Sequence, residues 1–165
     1  MKTKHLLFLL LLFPLLSGCN NTDDVSSIFL GKTWKLTDIL EKDLSASSDY
    51  WDGNQSAEST SRELVKQGDN CTITFNGTIA GNTINGKISG RATSTTFSGT
   101  WRVDGESRTF SASATSPSVD SDVLGRAFLD ALNDKATSYS GDENNLYIYF
   151  KEGQKTKCLL FHVQK

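Results

Sequence analysis

Apolar residues recur at every second position in short runs along most of this chain. The runs are Trp34 and Leu36; Cys71, Ile73 and Phe75; Phe97, Gly99, Trp101 and Val103; Leu146, Ile148 and Phe150; and Leu159, Phe161 and Val163. Successive side chains of a strand point to opposite faces, so each run predicts a strand with one buried and one wet face. Gly31, Asn76-Gly77, Asp104-Gly105 and Glu152-Gly153 lie where turns would join these strands, and Thr109–Ala112 reads as a return strand. Thr78–Gly90, with isoleucines and threonines broken by glycines, predicts a twisted, bulged stretch of sheet. The period changes once. Between Val119 and Asn133, residues Val123, Leu124, Ala127, Phe128, Ala131 and Leu132 fall at spacings of three and four, which predicts one helix entered at Ser118, with Asp120 and Asp122 near its positive end. An antiparallel sheet with one helix packed across it, an α+β fold, follows.

Two stretches break the alternation. Glu41–Glu63 is poor in apolar residues and predicts a long polar loop, with Tyr50 and Trp51 either folded back over the domain or standing exposed as contact residues. The beginning, Met1 to Cys19, carries Lys2 and Lys4 and then an unbroken apolar run from Leu6 to Leu16. As a helix that run would span about 16 Å, roughly half the hydrocarbon thickness of a bilayer, so it reads as an export signal and not as a membrane anchor. Leu16-Ser17-Gly18-Cys19 resembles the bacterial lipobox. The resemblance implies cleavage after residue 18, acylation of Cys19, and attachment of the mature chain to a membrane through its N-terminal acyl chains. The other readings are an uncleaved chain in which Cys19 is a buried thiol, and soluble secretion after cleavage near Gly18. Residues 19–28 are short and polar, as a tether would be. Asp23-Asp24 resembles the acidic signals that send some lipoproteins of the Bacteroides group to the cell surface. The implied place is the outer membrane, with the surface face preferred to the periplasmic one.

Removing the signal, residues 1–18, leaves one domain over residues 29–165 and changes the charge. Of 17 basic residues Lys2 and Lys4 are lost, leaving 15 against 19 acidic. No basic cluster remains to neutralise phosphates, which argues against a nucleic-acid partner. The chemistry of sites is sparse. His5 lies in the signal, so a Ser-His-Asp arrangement would rest on His162 alone. Asp49–Asn54 is faintly like a calcium loop but lacks its closing glutamate, and Cys71, Cys158 and His162 are not spaced as zinc ligands. No catalytic residue, metal site or cofactor is expected. Cys71 and Cys158 are a candidate disulfide in an oxidising compartment, or else two separate buried thiols.

Phe97-Ser98-Gly99-Thr100-Trp101-Arg102-Val103-Asp104-Gly105, then Phe110, Ala127–Leu132, Ala136–Tyr139 and Asn145–Ile148 resemble the META/HslJ-like family of small bacterial envelope domains, with Trp34-Lys35-Leu36 matching its first strand. The resemblance implies a small curved antiparallel sheet approaching a barrel, with one helix across it, and no catalytic machinery. Many members have a Gly-Cys-Asn element and a second cysteine where this chain has Gly90-Arg91-Ala92 and Ser111–Thr115. The functional expectation is a non-catalytic envelope lipoprotein that binds or assists another envelope or surface component. Its candidate interaction surface is Tyr50, Trp51, Tyr147 and Tyr149. The alternatives are a calycin-like carrier of a small apolar ligand and a structural envelope protein without a ligand. Seven phenylalanines remain once Phe8 and Phe13 go with the signal, which favours a filled interior over an open one.

Overall fold

The computed structural model describes residues 21–43 and 46–164. Three helices, α1 (Asn21–Phe29), α2 (Gln55–Lys66) and α3 (Val123–Leu132), accompany eight strands: β1 (Thr33–Glu41), β2 (Thr72–Ala80), β3 (Thr83–Arg91), β4 (Thr96–Asp104), β5 (Phe110–Thr115), β6 (Ala136–Gly141), β7 (Asn145–Glu152) and β8 (Lys155–Val163). They form one antiparallel sheet in the order β5-β4-β3-β2-β1-β8-β7-β6. From β2 to β5 and from β6 to β8 successive strands pair through short turns, whereas the connection from β1 to β2 contains α2. The break comes between β5 and β6, the two ends of the sheet, where the chain crosses by way of α3. β1 joins the two halves. It pairs with β8 from Trp34 to Glu41, with a register shift between Leu36 and Asp38, but with β2 only from Thr33 to Lys35.

The buried face carries the alternating residues read from the sequence, including Trp34, Leu36, Ile73, Phe75, Trp101, Val103, Ile148, Leu159 and Phe161. At its centre stands Phe29, fully buried at the end of α1, with its ring centroid 5.1 Å from those of Phe75, Trp101 and Tyr139 and 5.7 Å from that of Phe110. One ring thus binds α1 to β2, β4, β5 and β6, and edge-to-face contacts of this kind add to the stabilisation from buried area. Nearer α3, the Phe97 ring packs on bare backbone. A side chain on Gly90, its partner across β3 and β4, would come within 2.7 Å of that ring and 2.0 Å of the Thr72 carbonyl.

The expected near-barrel with a single helix is not what forms. The sheet is open, since β5 and β6 share no ladder and are linked only by the isolated bridges Thr109↔Ser138 and Ser113↔Asn133, and there are three helices. The polar tether over residues 19–28 also needs correction, because Val25 and Ile28 are buried and α1 is part of the folded body. Within the expected loop 41–63, α2 begins at Gln55, capped by the Asn54 side chain, which accepts from Ala57 N at 3.1 Å. Asn76-Gly77 is not a turn. β2 runs through it, and the reversal falls at Gly81, whose φ of +61° is the left-handed conformation that glycine adopts without strain. Phe29→Ala should cost about 3–5 kcal/mol in a urea titration, the usual loss for a fully buried phenylalanine, whereas Ile79→Ala, on the exposed part of β2, should stay within about 0.5 kcal/mol.

Candidate functional site

The four aromatics of the expected interaction surface are not brought together. Trp51 is 8% exposed, its indole Nε1 donates to Ser61 Oγ at 2.9 Å, and the Arg62 guanidinium lies 5.3 Å from its ring centroid. Tyr50 is half-buried beside it, with the Lys157 ammonium 4.1 Å above its ring, and that ammonium pairs in turn with Glu152. Burial, and after it the Glu152 and Glu41 carboxylates, pushes the Tyr50 hydroxyl up. Both residues therefore fold back over the domain. Tyr147 and Tyr149 stand half-exposed on β7, on the face opposite Leu146, Ile148 and Phe150, and Tyr149 Oη lies 3.2 Å from Ser140 Oγ.

Cys71 and Cys158 are free, fully buried thiols, so the candidate disulfide is not formed. Cys71 belongs to the core cluster, whereas Cys158 alternates with Leu159 and sits between Leu40 and Tyr149 on the other face of the sheet. Burial pushes each thiol up to about 12. Cys19 lies outside the described residues. Among the described residues no group of three or more His, Cys, Asp or Glu is placed to hold a metal ion.

Asp120, expected near the positive end of the helix, is a buried carboxylate tied to the β3–β4 connection. Asp120, 1% exposed, accepts from Thr93 Oγ1, from Ser94 N at 2.8 Å, from Thr95 N at 3.3 Å and from Asp122 N at 2.9 Å. Burial opposes its ionisation, but these donors outweigh it and hold the carboxyl below its ordinary value. Asp122, and not Ser118, caps α3 through Leu124 N and Gly125 N, and its other oxygen accepts from Ser61 Oγ of α2 at 2.6 Å. A side chain on Gly125 would meet the Asp120 carboxylate at 2.3 Å. The two aspartates thus tie α2, α3 and the β3–β4 connection into one junction whose acceptors are already filled.

A concave surface lined by charged side chains lies at the other end of β4. A half-enclosed cavity of about 360 Å³ opens between α1, the β4–β5 turn and the β6–β7 turn. Val25 and Ile28 of α1 give it an apolar wall, and Tyr139, Arg108, Glu106 and Glu143 supply its polar groups. Tyr139 is 5% exposed and turns its side chain to the cavity, whereas the buried polar atoms left without a partner among the described residues, Trp34 Nε1 and Tyr50 Oη, lie elsewhere. Burial raises its pKa, with the Arg108 charge opposing and Asp104 reinforcing the rise. Arg108 holds a left-handed backbone, φ +55°, fixed by the Asp104 carboxylate turn before it and by Tyr139 N donating to its carbonyl at 3.2 Å. Its guanidinium makes no hydrogen bond or ion pair with a described residue. Glu106 accepts from Asn82 Nδ2 at 3.0 Å, and Glu143 receives Lys32 Nζ on its backbone carbonyl at 3.0 Å, which leaves its carboxylate uncommitted. A phenolic hydroxyl and a guanidinium, with the Glu106 and Glu143 carboxylates beside them and the Asp142 carboxylate already accepting from Asn144 N and Asn145 N, can receive an oxyanion and a cation together.

A family described as a domain of unknown function, DUF4847, matches residues 20–163. The chain belongs to the DUF4847 family. A solved DUF4847 family protein from Bacteroides vulgatus ATCC 8482 is similar at 26% identity over 86% of this chain and 99% of that one, with a TM-score of 0.56. No curated protein matches. The family shown is thus DUF4847, and the META/HslJ likeness rests on motif frames alone. The DUF4847 match starts at residue 20, which agrees with α1 being part of the domain.

Two measurements check the buried groups of this DUF4847 domain. A thiol reagent should leave Cys71 and Cys158 untouched in the native protein and modify both in urea, and non-reducing mass analysis should show no loss of two hydrogens. Asp120 has a lowered folded-state pKa, so its stabilisation is present above the ordinary carboxylate value of 3.8 and is lost as pH falls through the lower folded value. Asp120→Asn should cost about 1–3 kcal/mol at neutral pH, and urea midpoints of the two proteins should converge as the pH is taken below roughly 4.

Proposed function

We propose that this DUF4847 protein is a non-catalytic lipoprotein of the bacterial outer membrane, held by acyl chains on Cys19, and that its domain binds another envelope or surface component. The observation that carries this reading is the relation between chain start and cavity. The first described helix starts at Asn21, two residues after the lipobox-like cysteine in sequence, and Val25 and Ile28 of that helix wall the cavity. A carrier of an apolar ligand needs a hollow interior, whereas Phe29 and the four rings around it occupy that space. The surface face is preferred on the strength of Asp23-Asp24.

The test is metabolic labelling in a Bacteroides host with an alkyne-bearing fatty acid. The wild-type chain should take up label, sediment with membranes and lack Met1, while Cys19→Ala stays unlabelled. An unlabelled wild-type chain, or one that keeps Met1, overturns the proposal.

A further inference from the structure

We propose that the cavity beside α1 binds the phosphoethanolamine headgroup of a membrane lipid, its phosphate between the Tyr139 hydroxyl and the Arg108 guanidinium and its ammonium against Glu106 and Glu143. The identification of a lipid as the source rests on the lipoprotein reading; the chemistry of the site does not.

The first support is the donor set. Tyr139 lines the cavity, and its phenolic hydroxyl is a donor that a phosphate oxygen entering there can accept from. Arg108 supplies the matching charge at the rim, and guanidinium is suited to phosphate by its planar fork of donors. The second support is the opposing pair of carboxylates. A purely anionic ligand would meet repulsion from Glu106 and Glu143, and a purely cationic one would meet Arg108. A zwitterion with its charges a few ångströms apart satisfies both. A primary ammonium donates hydrogen bonds to carboxylates, which a trimethylammonium cannot.

The third support is reach. Cys19 is two residues before the first helical residue and six before Val25. Two residues span at most about 7 Å and four helical rises add about 6 Å, so an acylated Cys19 lies within about 13 Å of the cavity wall. The headgroup layer of one leaflet is itself about 5–8 Å deep. A lipid neighbouring the anchor is therefore within reach of the site without any change in the fold.

The test uses the full protein purified from membranes in maltoside micelles and followed by NMR. Glycerophosphoethanolamine should bind saturably, shifting Tyr139 and its neighbours, and glycerophosphocholine should bind at least about tenfold more weakly. Arg108→Gln and Tyr139→Phe, both expected to keep their folded spectra, should each weaken binding by a similar factor; Tyr147→Phe, on the outer face of β7, should leave it unchanged. Absence of saturable binding, or binding indifferent to both cavity variants, overturns the site even where Cys19 is found acylated. The same shifts should appear in nanodiscs of phosphatidylcholine with phosphatidylethanolamine and not in phosphatidylcholine alone. Shifts with the soluble compound only, or with a chain found unacylated, overturn the membrane source and leave a site for soluble phosphoethanolamine.

Discussion

The insertion of the Phe29 ring into the sheet is the constraint on which the rest of the molecule depends. The ring touches residues of β2, β4, β5 and β6, strands that lie in both halves of the sheet. No ladder joins β5 to β6, so these two end strands are held near each other by what both pack against. A ring supplied from outside the sheet does this without asking either edge to satisfy the other's backbone. It also fixes α1, since a helix of nine residues has little stability of its own and forms here because its apolar end is buried. The same insertion fills the interior and leaves a concave surface alongside α1.

The other end of the sheet is organised by polar groups. β1 leaves β2 after Lys35, and the space that opens is covered by α2 and α3. Packing holds α3 through Leu124, Phe128, Ala131 and Leu132 but would not fix α2 closely, because α2 buries little more than Val65 and Ser61. The chain of hydrogen bonds from Trp51 through Ser61 to Asp122, together with Asp120 on the β3–β4 connection, sets their positions directionally. Each aspartate is surrounded by donors, so burial of the charge is compensated and the junction specifies geometry as well as contributing stability.

How much of this was legible depended on whether a residue's neighbours in sequence were also its neighbours in space. The strands carrying Phe97, Trp101 and Val103, or Leu146, Ile148 and Phe150, were readable because both faces of each run were written in alternation. Their pairing into a sheet followed from the turns, apart from Asn76-Gly77, where a turn-forming dipeptide is overruled by nine residues of ladder with β3. α2 was not readable, since Ala57, Leu64 and Val65 are its only apolar residues; Asn54 before it, a capping residue, was the available signal. α1 was hidden by its polar composition, which resembles a tether until Phe29 is seen to be buried. Trp51 was placed on a loop correctly but given the wrong environment, because its partner Ser61 carries no pattern. The cavity was beyond sequence reasoning altogether. Tyr139, Arg108 and Val25 belong to three separate elements, and nothing in their spacing announces that they meet.

The shortness of the link between anchor and cavity bears on how strong binding needs to be. A ligand free in solution must overcome the loss of its translational freedom, whereas a neighbouring lipid in the same leaflet is already confined within ångströms of the site. Confinement of this kind raises effective concentration to the millimolar range or above, so that weak intrinsic affinity suffices for high occupancy. The cavity is half-enclosed, and three of its four polar groups, Glu106, Arg108 and Glu143, sit at an exposed rim, which is the construction of a weak site. A weak site on a freely diffusing protein would stand mostly empty. With Cys19 acylated as proposed, the same site would be held within about 13 Å of a lipid anchor and would be filled, and filling it would fix how the domain sits on the membrane.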